Sequence, residues 1–138
     1  MKRIWLGVAA LVAVAGGCEK APAVGQVTGV VKVNGKPHAG IELRFHPAGD
    51  STGAGADGLS GIGGEYRLEF YDHAGRDYRP GAIAGRYKVV LIDQSRPTPK
   101  AGEKMAPSAV PGPYTDPRTT PLEVEVKPGD NVIDISVP

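Results

Sequence analysis

Apolar and polar side chains alternate with a period of two through most of this chain. The longest such run is Gly85–Asp93, where Tyr87, Val89 and Leu91 share one face and Arg86, Lys88 and Val90 the other. This period puts alternate side chains on opposite sides of a sheet, so the run reads as a core strand. Ile92 makes the outer face partly apolar too, which suits a strand in the middle of its sheet with neighbours on both edges. Arg79, Pro80 and Gly81 signal a turn before it, and Pro97 and Pro99 stop any strand after it.

The same alternation recurs on both sides of this strand. In residues 26–33, Val27, Val31 and Val33 point inward, with Gly29 keeping that face narrow. Asn34 and Gly35 follow, a two-residue turn in which both positions tolerate positive φ. Next, Ile41, Leu43 and Phe45 oppose Glu42, Arg44 and His46; this stretch is expected to neighbour the first antiparallel or to lie in the facing sheet. Residues 47–64 are Gly-rich and read as a loop with a short strand near Ile62. Tyr66, Leu68 and Phe70 alternate with Glu65, Arg67 and Glu69 as one strand, and 71–84 reads as a polar loop. Residues 94–120 hold six prolines and read as an extended, solvated path. A structureless connection of that length is either functional or disordered. Leu122, Val124 and Val126, a turn at 128–131, then Ile133, Ile135 and Val137 read as a C-terminal hairpin.

The elements sum to an all-β fold, an antiparallel two-sheet β-sandwich of about seven strands with a long Pro-rich loop. Its expected core includes Val31, Leu43, Phe45, Tyr66, Leu68, Tyr87, Val89, Leu91, Val124 and Ile135. Tyr87 stands where immunoglobulin-like sandwiches place a corner tyrosine whose hydroxyl bonds backbone across a sheet connection. Composition agrees: Gly 20 and Pro 13 against 6% aromatics favour short strands and many turns. The only cysteine is Cys18, so the core holds without an internal disulfide. Setting aside Lys2 and Arg3, the 16 basic residues become 14 against 15 acidic ones, spread singly. A nucleic-acid binder needs a clustered basic face, and that class is set aside.

The N-terminus sets the location. Lys2 and Arg3 precede an apolar run from Ile4 to Val14, too short for a comfortable membrane span, and Ala15, Gly16 and Gly17 abut Cys18. One reading is an ordinary cleaved signal followed by an incidental cysteine. The favoured one is similarity to the lipobox of bacterial lipoproteins, although Ala15 stands where such motifs most often carry Leu. That likeness implies a signal peptide over 1–17, diacylglycerol on the Cys18 thiol, a lipidated cysteine and tether over 18–24, and a sandwich domain over 25–138. The expected location is a bacterial outer membrane or cell surface, with the membrane as partner through the lipid on Cys18. Each buried methylene contributes about 0.8 kcal/mol and one acyl chain holds only marginally, so firm anchoring takes more than one chain.

The strand residues carry a further resemblance. Residues 29–37, 41–47, 64–68 and 85–89, with Val110, Pro111 and the late run 120–124, are similar to the carboxypeptidase regulatory-like, or transthyretin-like, domain. The variant most resembled is the short single-domain lipoprotein of planctomycete-type bacteria. The likeness covers nearly all of the chain after the signal and implies a prealbumin-like sandwich with no established catalytic activity. Where that family often carries an acidic turn before its Tyr or Phe strand, this chain has Ser60, Gly61, Ile62, Gly63 and Gly64, without the acids a calcium role would use.

Candidate chemistry is sparse. His38, His46 and His73 show no ligand spacing, and Asp50, Asp57, Asp72 and Asp77 form no dense acidic loop, so neither metal nor cofactor is expected. Hydrolases of hydroxyisourate share the transthyretin-like fold and end in Tyr-Arg-Gly-Ser, whereas this chain ends Ile135, Ser136, Val137, Pro138. The reading is a non-catalytic interaction or assembly module at the envelope, with an envelope protein or glycan as partner. Tyr71, Tyr78 and Tyr114 are the aromatics left for a carbohydrate site, the alternative reading. Any ligand site is expected among the loops 47–64, 71–84 and 94–120, and peptide capture on a sheet edge stays open.

Overall fold

The computed structural model describes residues 21–138. The expected signal segment, Cys18 and the start of the expected tether lie outside the described residues. The fold is all-β, as the alternation requires. The strands are β1 (Val24–Val33), β2 (Lys36–Pro37), β3 (Ile41–Pro47), β4 (Ala56–Leu59), β5 (Glu65–Arg67), β6 (Glu69–Asp72), β7 (Asp77–Pro80), β8 (Ala82–Ile83), β9 (Gly85–Asp93), β10 (Glu123–Val126), β11 (Gly129–Val132) and β12 (Ile135–Val137).

They form two sheets. In the first, β1 runs through the middle, with β2, β5 and β8 antiparallel to it on one side and β11 and β12 parallel to it on the other. The second is antiparallel in the order β10-β9-β3-β4-β6-β7. The residues 26–33 and 41–45 therefore lie in facing sheets, and β9 has neighbours on both edges. Asn34 and Gly35, both at positive φ, turn β1 into β2 as their types require.

The strand count exceeds seven because long alternating runs change sheets part-way. Glu65 to Phe70, one strand by pattern, splits at Leu68 into β5 in the first sheet and β6 in the second. Leu68 is fully buried at that corner, where its N–H donates to Val27 O at 3.1 Å and its carbonyl accepts from Gly81 N at 2.7 Å. Gly81 makes the return crossing between β7 and β8 at φ 101°, and a Cβ there would strike the Gly25 carbonyl. Period two cannot reveal such a switch, because the inward face stays inward throughout.

The strand pairing corrects two expectations. Residues 71–84 are not a polar loop but the β6–β7 hairpin followed by β8, and the short strand in 47–64 is β4, while Ile62 sits exposed in the turn beyond it. The C-terminal stretches are not a hairpin either. β10 pairs with β9, the turn at Pro128 crosses to the other sheet, and β11 and β12 run parallel to β1 in one continuous register. Asn131 ties that crossing, donating to Lys127 O at 2.8 Å and accepting from Lys127 N at 3.0 Å.

Nine of the ten expected core residues are buried. Val124 is half-buried because β10 is an edge strand. Tyr87 forms the anticipated corner: its hydroxyl donates to Ile83 O at 2.6 Å, joining β9 to β8 across the two sheets.

Strand directions give the sandwich two ends. β1 enters at Val24, where Ala84 N donates to Ala23 O at 2.8 Å, and this entry end also holds the start of β9 and the β6–β7 turn. The far end holds the β1–β2 turn, residues 38–40 and Asp93.

Candidate functional site

β9 has a consequence at the far end. Asp93 shares the parity of Tyr87, Val89 and Leu91, so the strand that builds the core also carries a carboxylate inward, its side chain only 2% exposed. Its Oδ1 accepts from the Ser95 N–H at 3.0 Å and the Ser95 hydroxyl at 2.5 Å, and Oδ2 from the Ala109 N–H at 2.8 Å. Burial pushes this carboxyl's pKa up, but those hydrogen bonds outweigh it and hold the group below its ordinary value. Arg96 stands 3.9 Å from Oδ2 and donates through Nη1 to Ala106 O at 3.2 Å.

These contacts close a neck under the Pro-rich segment. Between Arg96 and Ala106, residues 97–105 form a compact loop, tightened where Glu103 N donates to Lys100 O at 2.9 Å and Lys100 N to Glu103 Oε2 at 3.2 Å. Met105, within it, is exposed. Beyond the neck Val110 is buried in the core, a 3-10 turn (Gly112–Thr115) lies against β9, and the Thr120 hydroxyl donates to Val89 O at 2.7 Å. Asp116 caps this stretch. Hydrogen bonds from the Arg118 side chain and N–H hold its pKa at about 2. The segment's prolines are exposed or half-buried, as an extended path implies, but the segment is stitched to the sandwich at both ends.

Ser60, the third buried polar residue beside Asp93 and Thr120, accepts from Ile41 N at 2.9 Å and donates to His38 O at 2.7 Å. All three spend their hydrogen bonds on local backbone and neighbouring loops, which fits braces rather than reacting groups.

The other concentration of functional side chains is on the β6–β7 hairpin. Tyr71 and Tyr78 are a cross-strand pair with ring centroids 5.3 Å apart, edge to face, and His73 meets Tyr71 at 5.0 Å in the same manner. Tyr78 is 67% exposed. Asp72 stiffens the turn by accepting from Ala74 N at 3.0 Å and Arg79 Nη1 at 3.2 Å. Tyr114, the third candidate aromatic, packs half-buried against the core instead.

A shallow groove of about 670 Å³ crosses β1, β5 and β11, with Val30, Leu59 and Val132 as its apolar lining and Glu65, Arg67 and Asp134 as its polar groups. Asp134 already accepts from Val30 N at 2.9 Å. So open a groove buries little of a small ligand.

The structure brings Tyr71, His73 and Tyr78 together and leaves His38 and His46 apart from them and half-buried. Among the described residues no three His, Cys, Asp or Glu side chains gather as a metal site. The three candidate loops do not converge, since the β6–β7 turn is at the entry end and the Pro-rich loop starts at the far end. Sequence reasoning passes over Asp93, Ser60 and Thr120. For Asp93 the signal is there to be read, a carboxylate on the inward parity of a core strand. The chain matches no protein-family model, no curated protein and no solved structure.

Proposed function

We propose that this protein is a non-catalytic envelope lipoprotein, anchored through Cys18, whose sandwich is an interaction module that offers the loop 97–105 to a partner. The observation that carries this reading is the neck at Asp93. A buried carboxylate, Arg96 and the Ala106 carbonyl hold a proline-bearing loop in place at the end of the sandwich opposite to the chain's entry. A loop held this way loses little freedom on binding, and preorganisation of that kind raises affinity without enlarging the contact. Anchoring at the entry end turns the far end away from the membrane. The two-sheet architecture is also what the carboxypeptidase regulatory-like resemblance implies, and membership of that family is part of the proposal. A carbohydrate-binding role is the second reading, favoured by the paired Tyr71 and Tyr78 rings.

Crosslinking the protein in its own cells, followed by identification of the attached species, tests the proposal. Replacing 98–104 with a short Gly-Ser link leaves Asp93, Arg96, Ala109 and Thr120 in place, so the domain should stay folded and lose its crosslinked partner. A partner retained by the folded deletion variant would move the site to a sheet edge or to the tyrosine hairpin.

A further inference from the structure

Four residues, Glu19 to Pro22, separate Cys18 from Ala23, whose carbonyl is fixed by Ala84 N at 2.8 Å. Five residue steps at no more than about 3.6 Å each limit the distance from Cys18 to the sandwich to about 18 Å. If Cys18 carries lipid, the domain cannot range away from the bilayer and its entry end must lie at the head groups. The topology fixes what that end presents. β3 runs from the far end to the entry end, and β6 is parallel to it through β4, so Asp72, the turn 73–76 and Asp77 project toward the membrane side.

We infer that the β6–β7 hairpin is a membrane-contact element, seating Tyr71 and Tyr78 in the head-group layer and setting the orientation of the anchored domain. This rests on the lipoprotein reading above. The chemistry fits a lipid interface: tyrosine, with an apolar ring and a polar hydroxyl, is enriched at membrane-water boundaries. The two rings brace each other edge to face on a turn already stiffened by Asp72, so they are presented without further ordering. Charge plays a small part. Asp72 and Arg79 pair with each other, and Arg76 is offset by Asp77, so the membrane-side residues 71–80 are balanced, and Glu69 at the opposite end of β6 leaves the hairpin as a whole at −1. The contact is aromatic rather than electrostatic, so the charge of the head groups should alter it little.

After removal of the signal the chain contains no tryptophan, because Trp5 is the only one, so a single introduced indole reports its own surroundings. The lipidated protein carrying Tyr78→Trp, and separately Lys36→Trp at the far-end turn, would be reconstituted in phosphatidylcholine vesicles containing brominated lipid, with and without phosphatidylglycerol. The inference expects emission from the Tyr78→Trp protein to fall by roughly half or more in both compositions, while emission from the Lys36→Trp protein falls by less than about a tenth, given the shallow depth of interfacial residues. Vesicle-bound protein with both indoles unquenched would overturn the hairpin contact and leave the anchor standing. Protein that does not float with the vesicles would overturn the anchor, and the orientation with it. Quenching only with phosphatidylglycerol would contradict the aromatic account. Relief of quenching by soluble oligosaccharide would reassign the tyrosines to glycan binding. Loss of the sandwich's circular dichroism in Tyr78→Trp is countered by His73→Trp, which places the indole at an exposed turn position reading the same layer.

Discussion

Asp93 shows how a single residue joins the core to the surface loop. Its carboxylate receives three donors, from Ser95 twice and from Ala109, while almost entirely removed from solvent. Asp93→Ala leaves those donors without their acceptor and should lower stability by about 3 kcal/mol, read by urea denaturation at pH 7. The pH dependence follows from the lowered pKa. A carboxyl held below its unfolded value, near 3.9, contributes its full stabilisation above that pH and loses it as pH falls through the folded value. The stability gap between wild type and Asp93→Ala should therefore be constant from about pH 5 to 7 and shrink below about pH 4. A gap that widens in acid would mean that the protonated carboxyl is the form the fold prefers. Asp116 titrates in the same acid window but is common to both proteins, so it cancels in the comparison.

At the scale of elements, period-two patterning identifies faces better than it identifies strands. β9 is legible from end to end, and β1 and β3 to within two residues of their ends, because each stays in one sheet and keeps one face in the core. β5 and β6 read as one strand, because a chain that changes sheets at Leu68 keeps the same inward parity on both sides. Across Pro128 the inward positions shift from Val124 and Val126 to Ile133, Ile135 and Val137, as they would through a tight turn, so β11 reads as the turn and β12 as the returning arm of a hairpin, although the chain crosses to the other sheet. β7 leaves little signal: Asp77, Tyr78, Arg79 and Pro80 are all exposed on an edge strand, so no run of core-type apolar residues marks it. The faces themselves are testable. Leu91 is wholly buried in β9 and Glu125 is exposed on β10, so Leu91→Ala should cost about 2 to 5 kcal/mol and Glu125→Ala close to nothing, compared by thermal unfolding. Equal effects would mean that the inward face of the second sheet has been assigned wrongly.

For the whole molecule, the two ends of the sandwich divide the labour that the proposal assigns. The chain enters beside Ala84 and the tyrosine hairpin, and the Pro-rich loop rises from Asp93 at the other end. The loop's prolines are evident in the sequence, but its attachment is not, since Asp93, Val110 and Thr120 meet only through the fold and no local pattern links residues so far apart. In the proposal, the orientation of both ends depends on one covalent feature, lipid on Cys18. It is tested most directly by growing cells that express the full chain, wild type or Cys18→Ala, in radiolabelled palmitate and separating membranes from soluble protein. The account predicts label in the wild type alone, with the wild type in the membrane fraction and Cys18→Ala released from it. Label entering Cys18→Ala, or that variant remaining with the membranes, would contradict the account.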